Sequence, residues 1–546
     1  MVKKYKEKDG YFMLYHIKDL DVNEVFKKFH EVNFKQILSG PEQSNDTAIL
    51  FYNEDVKRND AKENPIEKDK DLLIGRIRFI IHILAKRCSS NKYGWTNLNA
   101  TKLQKTVGKD YKKILKTLEH MDVINIDNSY FEGVKSKAYQ LTEDYIGKVG
   151  RGLIFHNTIK EYRDTLDELF VEEYIKFYQS LSDEDRYIYD NYNRILKNLK
   201  LKYPDEAAKY IENRLYINAY QQMYYENILD KYIQQDFKDF VINSIDKDKR
   251  IYSILSSTPK PFKDFLNIKF SIDIKNSHPL LFNYFIYQEY KFINKDIINY
   301  ILNTYQYVGS SICINKINKY IGNCTNAKTD KLPNDVIKYI YSTSKGEFWE
   351  DFTELFKSDG LQRNDVKVTL FKEVFYSKSK TTRHKKFAKT FKKIYPTVYK
   401  IINQHKPNDN RTKLSHEMMK LESEIFHKIL NNLYKKRGCN ALSIHDAVVI
   451  LNTDKTNQYT EDEIEKVMMK VYEGYNLFPT CSIDYYDPNK QMMHGDANKP
   501  HINDLFEFRD NLVLSEDKDD RELLKMINEG EVELSYSDGS IVVDGV

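Results

Sequence analysis

Residues Leu442–Leu451 read LSIHDAVVIL, an apolar run of the kind that forms a strand buried on both faces, broken at its centre by His445 and Asp446. A carboxylate among aliphatic neighbours is costly unless a cation meets it, so the run calls for a partner elsewhere in the chain. Asp273, 173 residues upstream, stands in a similar setting. In FLNIKFSIDIKNSHPLLFNYFI (Phe265–Ile286), Phe270, Ile272 and Ile274 share one face of a short strand that carries it. The segment then turns at Asn276, Ser277 and Pro279 into an apolar helical run. Two carboxylates brought together repel unless a cation lies between them, and two divalent metals bridging such a pair form the usual site for phosphoryl or nucleotidyl transfer. Taken alone, either aspartate has an equally ordinary reading as a capped turn or a hidden salt bridge.

A third stretch, RNDVKVTLFKEVFYSKSK (Arg363–Lys380), spaces Arg363, Lys367, Phe371 and Phe375 at intervals of four, along one helical face. Two cations followed by two aromatics suit a nucleoside triphosphate, the cations meeting phosphates and the rings packing on base and sugar. The plainer reading makes both phenylalanines core and the cations mere flanks. Downstream, SKSKTTRHKKFAKTFKK (Ser377–Lys393) has no acidic residue and suits nucleic-acid phosphates.

The rest of the chain sets the context. At 546 residues, 41% hydrophobic and 30% charged, it should fold mostly as roughly two to four domains. No apolar run approaches the roughly 18–20 residues of a membrane span, and MVKKYKEKDGYF lacks the apolar centre of a signal peptide, so a cytoplasmic protein is expected. Its five cysteines form no CxxC, which argues against a zinc ribbon or disulfide framework. The 42 tyrosines, alongside abundant Lys, Asn and Ile, fit an AT-rich genome and carry no functional reading by themselves. Net charge is +4, but Ser515–Val546 holds ten Asp or Glu against three Lys or Arg. A basic body with an acidic tail suits a polyanion binder whose tail competes with nucleic acid; an inert solvated tail fits equally.

Segment boundaries follow from composition. An N-terminal segment and charged linker occupy 1–70, the linker being NEDVKRNDAKENPIEKDKD (Asn53–Asp71). Over 71–150, three helical patterns, DLLIGRIRFIIHILAKRC, LNATKLQKTVG and DYKKILKTLEHMDVI, precede two strands, NIDNSYF and AYQLTEDY. Three helices and a hairpin resemble a winged helix. In that module the third helix enters a DNA groove, and here Lys109, Lys112, Lys113 and Lys116 stand near its start; many winged helices instead bind proteins, such as replication proteins. Residues 151–245 read as helical throughout, 246–500 hold the three stretches above, and 501–546 form the acidic tail.

Taken in order, Asp273, then Arg363, Lys367, Phe371 and Phe375, then His445-Asp446 resemble motifs A, B and C of the family A DNA polymerases and the related single-subunit phage RNA polymerases. MKLESEIFHKIL resembles the helix before motif C of the RNA enzymes, and EDEIEKVMMKVYEGY with PTCSIDYYD supplies the helix and strand that complete a palm. The likeness spans roughly Asp246–Asp487, with the 151–245 helices where a thumb would be. It implies an α+β, mostly helical fold with a right-hand polymerase palm and fingers behind an N-terminal winged-helix-like domain. Asp273 and Asp446 would hold two Mg²⁺ ions, with Mn²⁺ as a substitute. Arg363 and Lys367 would meet the triphosphate, and Lys367 would protonate departing pyrophosphate. Phe371, Phe375 and His278 would line the nucleotide pocket, and His445 and Arg250 the primer terminus. In the winged-helix-like domain Lys112, Lys113 and Lys116 would meet DNA phosphates, and Lys378, Lys380, Arg383, Lys385 and Lys386 those of template or product.

Three positions depart from those motifs. Motif B ends Phe375-Tyr376 rather than Tyr-Gly, which leaves its register open by one residue. His278 stands where the DNA enzymes carry Glu, and Ala447 where many carry a further acid, so the metals rest on two carboxylates. A bulky His278 and a Phe375 without a hydroxyl lean toward deoxynucleotides, while the KLESEI likeness leans toward the RNA enzymes. The expected activity is template-directed DNA synthesis on a primer in phage or mobile-element replication. The alternatives are a single-subunit RNA polymerase or primase-like enzyme, a non-catalytic replication initiator on the same scaffold, and untemplated tailing.

Overall fold

The computed structural model describes residues 11–38, 65–127, 137–155, 157–214, 216, 218–234, 242–245, 250–305, 311–325, 331–357, 361–376, 386–406, 413–436, 439–453, 459–489, 532–537 and 540–545. The fold is α+β, mostly helical with small antiparallel sheets. Contacts divide the chain into two compact units. The first comprises Met1–Leu181, Ala208–Gln235 and Leu512–Gly530; the second comprises Ser182–Ala207, Asp236–Asn511 and Glu531–Val546. No helix among the described residues is long and apolar enough to cross a membrane.

The strands of the first unit are β1 (Tyr11–Ile17), β2 (Trp95–Asn97), β3 (Ile124–Asp127), β4 (Ala138–Leu141) and β5 (Val149–Phe155). Its longest described apolar stripe is Ile77, Ile80, Ile81, Leu84 and Cys88, all buried on the helix Pro65–Cys88. That helix opens on a proline, whose missing N–H costs nothing at a helix start, so the end of the charged linker is helical rather than extended. Two shorter helices follow. Asn99 caps Ala100–Val107 by accepting the Lys102 N–H at 3.0 Å, and Gly108, at φ 78°, ends it. Tyr111–His120 buries Ile114, Leu115 and Leu118. The two strands expected after it are present as β3 and β4, and β2 joins them in the order β2-β4-β3. Such a short strand leaves little periodic signal. Residues 11–38 of the N-terminal segment join this module: β1 pairs with β5, and Tyr15, Ile17, Val25 and Phe29 share its core.

In the second unit β6 (Ile242–Ile245) pairs with β7 (Ile251–Ser253), so the helical reading of 151–245 fails at its end, as it does at its start, where β5 lies. A four-stranded antiparallel sheet comes next, built from β8 (Ile268–Ile274), β9 (Ala441–Ile444), β10 (Ala447–Leu451) and β11 (Cys481–Tyr485) in the order β11-β8-β10-β9. Ile268, Phe270, Ile272 and Ile274 bury one face of β8, which leaves Asp273 on the other. The helices Asp183–Leu196 and Lys413–Tyr434 pack on β9. A second core is aromatic, with Phe282, Tyr339, Phe348, Phe352, Phe391 and Tyr395 joining several helices of 277–404. Of the acidic tail, Val532–Ser537 and Ser540–Gly545 pair as a hairpin; residues 501–531 lie outside the described residues.

Candidate functional site

Asp273 and Asp446 meet through the central sheet. His445 and Asp446 form the two-residue turn between β9 and β10, with Ile444 facing Ala447 across it and His445 in the left-handed region at φ 50°. Ala447 in turn faces Asp273 on β8, and the Ile274 N–H donates to the Asp446 carbonyl at 3.2 Å. The hairpin thus fixes one carboxylate beside the other through main-chain bonds. Desolvation, then Asp273, then Glu422 push Asp446 up to about 8. Desolvation likewise raises Asp273 to about 6, against the pull of Lys367 and with Asp484 adding to the rise. Two neighbouring acids that are both raised, Asp446 in part by Asp273, are a site short of positive charge.

The pair lines a cavity of about 450 Å³ that also takes in Arg250, His278, Arg363, Lys367, Phe371 and His445. Eight residues singled out in the sequence therefore share one pocket. Arg363 is held by Glu350 at 2.8 Å across the pocket wall, an exposed pair that an incoming anion can exchange. Lys367 lies one helical turn further on and acts on both aspartates.

Phe375 does not belong to the pocket wall. It is fully buried in the aromatic core, 6.1 Å from the Phe282 ring, and Tyr376 lines the cavity in its place. The reason is local. After Arg363–Leu370 the backbone widens into a π turn over Phe371–Phe375, closed by the Tyr376 N–H donating to the Phe371 carbonyl at 2.7 Å. A five-residue closure brings residue 376, not 375, over residue 371. The two rings stack at 5.0 Å and 5° between planes, with His278 edge-on to both. The buried Tyr376 hydroxyl has no hydrogen-bond partner among the described residues.

Glu422, to which the sequence motifs assign no role, forms the floor. The residue is 1% exposed, and its carboxylate accepts from Ser277 Oγ at 3.2 Å, lies 3.2 Å from His278 Nε2, and is paired with the Arg250 guanidinium. Burial alone would raise its pKa; His278 and then Arg250 outweigh that and hold it at about 2. One signal was present: Glu422 falls between Met418 and Phe426 on the buried stripe of its helix, where an acid needs a reason.

Of the expected nucleic-acid contacts, Lys112, Lys113 and Lys116 are exposed on Tyr111–His120 in the first unit, and Lys386 is exposed at the start of Lys386–Ile394. Lys378, Lys380, Arg383 and Lys385 lie outside the described residues. No cluster of three or more His, Cys, Asp or Glu that could hold a metal occurs among the described residues. The two aspartates still fit Mg²⁺, which is usually held by one or two carboxylates with substrate phosphates and water completing its shell. Compared with known protein families, curated proteins and solved structures, the chain matches none.

Proposed function

We propose that this protein is a template-directed nucleotidyltransferase of the palm-and-fingers type, a DNA polymerase resembling family A, with a winged-helix-like module at its N-terminus. One observation carries this reading. Two carboxylates fixed by a sheet and two cations with an aromatic stack on a facing helix line a single cavity. Asp273 and Asp446 would hold two Mg²⁺ ions, Mn²⁺ substituting; when bound these supply activation of the primer hydroxyl and neutralise charge on the reacting phosphate. Arg363 exchanges Glu350 for the triphosphate, and Lys367 contacts the same group and gives a proton to the leaving pyrophosphate. Phe371 and Tyr376 offer a stacked face to the base, and His278, braced by Glu422, bounds the sugar. Arg250 and His445 face the primer end. DNA template and primer, with nucleoside triphosphates, are the partners, and phage or mobile-element replication the setting.

A second reading, a single-subunit RNA polymerase or primase-like enzyme, draws on Tyr376. Phe375 gave a deoxynucleotide lean for want of a hydroxyl, and the residue that lines the pocket in its place has one. The lean that rested on Phe375 is thereby lost, which leaves His278 as the bulk that bears on the sugar.

The test is extension of a primed and an unprimed template by the purified chain with Mg²⁺, with dNTPs and NTPs run in parallel. Extension by wild type and its loss in Asp273→Asn and Asp446→Asn is the expected result. Template binding without extension, indifferent to both substitutions, would replace the enzyme with a non-catalytic initiator, and growth of a lone single strand would mark untemplated tailing.

A further inference from the structure

The first unit holds a cavity of about 510 Å³ that the proposed chemistry does not use. It opens between the helices Ala100–Val107 and Tyr111–His120 and the strands β3 and β4. Leu98, Leu103, Leu115 and Ile126 make its floor apolar. The rings of Tyr111 and Tyr139 line it as well. Burial raises the pKa of both phenols, and Tyr111 and Glu119 add to the rise at Tyr139. Lys112, Lys116 and Lys137, all exposed, stand on its rim with the half-buried Glu119. Lys113, one position round the helix, lies outside it.

This geometry separates two ways of using a basic helix. A phosphodiester backbone would meet the lysines but leave the apolar floor facing water, since duplex DNA presents no side chain of matching size apart from thymine methyl groups. A peptide carrying leucine, phenylalanine or tryptophan fills such a hollow, and its acidic residues answer the lysine rim. The volume also falls in the range, about 300–1,000 Å³, of cavities that bury a ligand. We infer that this hollow docks an acidic peptide segment of a partner protein, anchored by one or two large apolar side chains, with Lys112 and Lys116 reading its charge. The site goes beyond the nucleotidyltransferase reading and does not depend on it.

The experiment uses the full chain and fluorescein-labelled twelve-residue peptides in which Asp and Glu alternate in helical turns with Leu, Phe and Trp. A control set has Lys for the acids or Ser for the apolar residues. Two variants probe the two halves of the site. Ala100→Trp, at an exposed position on the lip, fills the mouth of the hollow, and Lys112→Glu with Lys116→Glu reverses the rim. Both changes lie on exposed positions, and thermal melts show whether each variant keeps the wild-type fold. The expected result is saturable binding of the acidic apolar peptides by anisotropy, weakened about tenfold or more by either variant, with neither control set binding. No saturable binding, or binding that survives Ala100→Trp, overturns the proposal. A mixed-sequence DNA duplex that binds wild type and Ala100→Trp alike, and loses affinity only on charge reversal, while the peptides fail to bind, assigns this face to nucleic acid. Extension activity is a separate readout, so failure of the peptide site is distinguishable from failure of the proposed function.

Discussion

Asp446 shows how the carboxylate proposed to hold metal works against stability. Desolvation and the neighbouring Asp273 disfavour its charge, and its raised pKa measures that cost. Asp446→Asn removes the repulsion and keeps the shape. The variant should unfold at higher denaturant than wild type without metal, by about 0.5–2 kcal/mol, and Mg²⁺ should raise the wild-type midpoint but not that of the variant. Equal Mg²⁺ shifts in both proteins would remove Asp446 from the metal site. Glu422 works with the opposite sign. Its folded pKa of about 2 lies below the unfolded carboxylate value of about 4.3, so its contribution is complete above that value and lost as pH falls toward 2. In Glu422→Gln this acid-side loss should flatten, and Arg250, left buried without its counter-charge, should cost about 3–5 kcal/mol at neutral pH. Urea melts from pH 3 to 7 read both effects, and a parallel offset with no change in slope would contradict the assignment. Asp273 and Asp446 were legible in the sequence because each stands alone in an apolar run. Glu422 shows in sequence only as an acid on an apolar helical stripe; its partners Arg250 and His278 lie far away in sequence, and only the fold brings them together.

At the scale of elements, the apolar pattern of Leu442–Leu451 reads as one interrupted strand, and a hairpin is what the likeness to motif C implies. The chain folds as a hairpin, with His445 and Asp446 at the turn, and the register sets Asp446 beside β8. The price of so tight a turn falls on His445, whose φ of 50° is uncommon for a side-chain-bearing residue but tolerated by histidine. A β-branched residue is not tolerated there, so His445→Val should lose about 1–2 kcal/mol, while His445→Gly should retain wild-type stability within a few tenths. Chemical denaturation of the two variants tests this, and equal losses would point to the imidazole's contacts, such as its edge against Tyr252 at 6.0 Å, instead of the backbone. The outer edge of β9 is closed by tyrosines: Tyr192 donates to the Ser443 carbonyl and Tyr434 to the Ala441 carbonyl, each at 3.1 Å. Tyrosine abundance gave no hint of this, because a hydroxyl's partner depends on tertiary packing. The π turn was illegible for a related reason. RNDVKVTLFKEVF has ordinary helical spacing, and the wider closure shows only in the fold, where Phe375 packs against Phe391 in the core while Phe371 stays at the pocket with Tyr376.

Across the whole molecule, helix content and the three site-bearing stretches followed from periodicity, but the division into units did not. Each unit is assembled from separated parts of the chain, with Ser182–Ala207 in one and Ala208–Gln235 in the other, and no composition change marks that crossing. Charge, by contrast, is a global property and remains readable. The chain carries +4 overall with a tail of ten acids and three bases, so everything before Ser515 is more basic than the total suggests. Binding to DNA releases counterions in proportion to the phosphates neutralised, and a covalently attached polyanion competes for the same cations. Replacing Glu516, Asp517, Asp519, Asp520 and Glu522 by their amides removes five negative charges and leaves Val532–Gly545 untouched. At about 50 mM salt this variant should bind a primed duplex several-fold more tightly than wild type. By about 300 mM, where the Debye length has shrunk to roughly 6 Å, the two should converge. Titrations at both concentrations decide the matter. Equal affinity at low salt makes the tail an inert solvated extension, whereas a difference that persists at high salt implicates specific contacts by those side chains rather than their field.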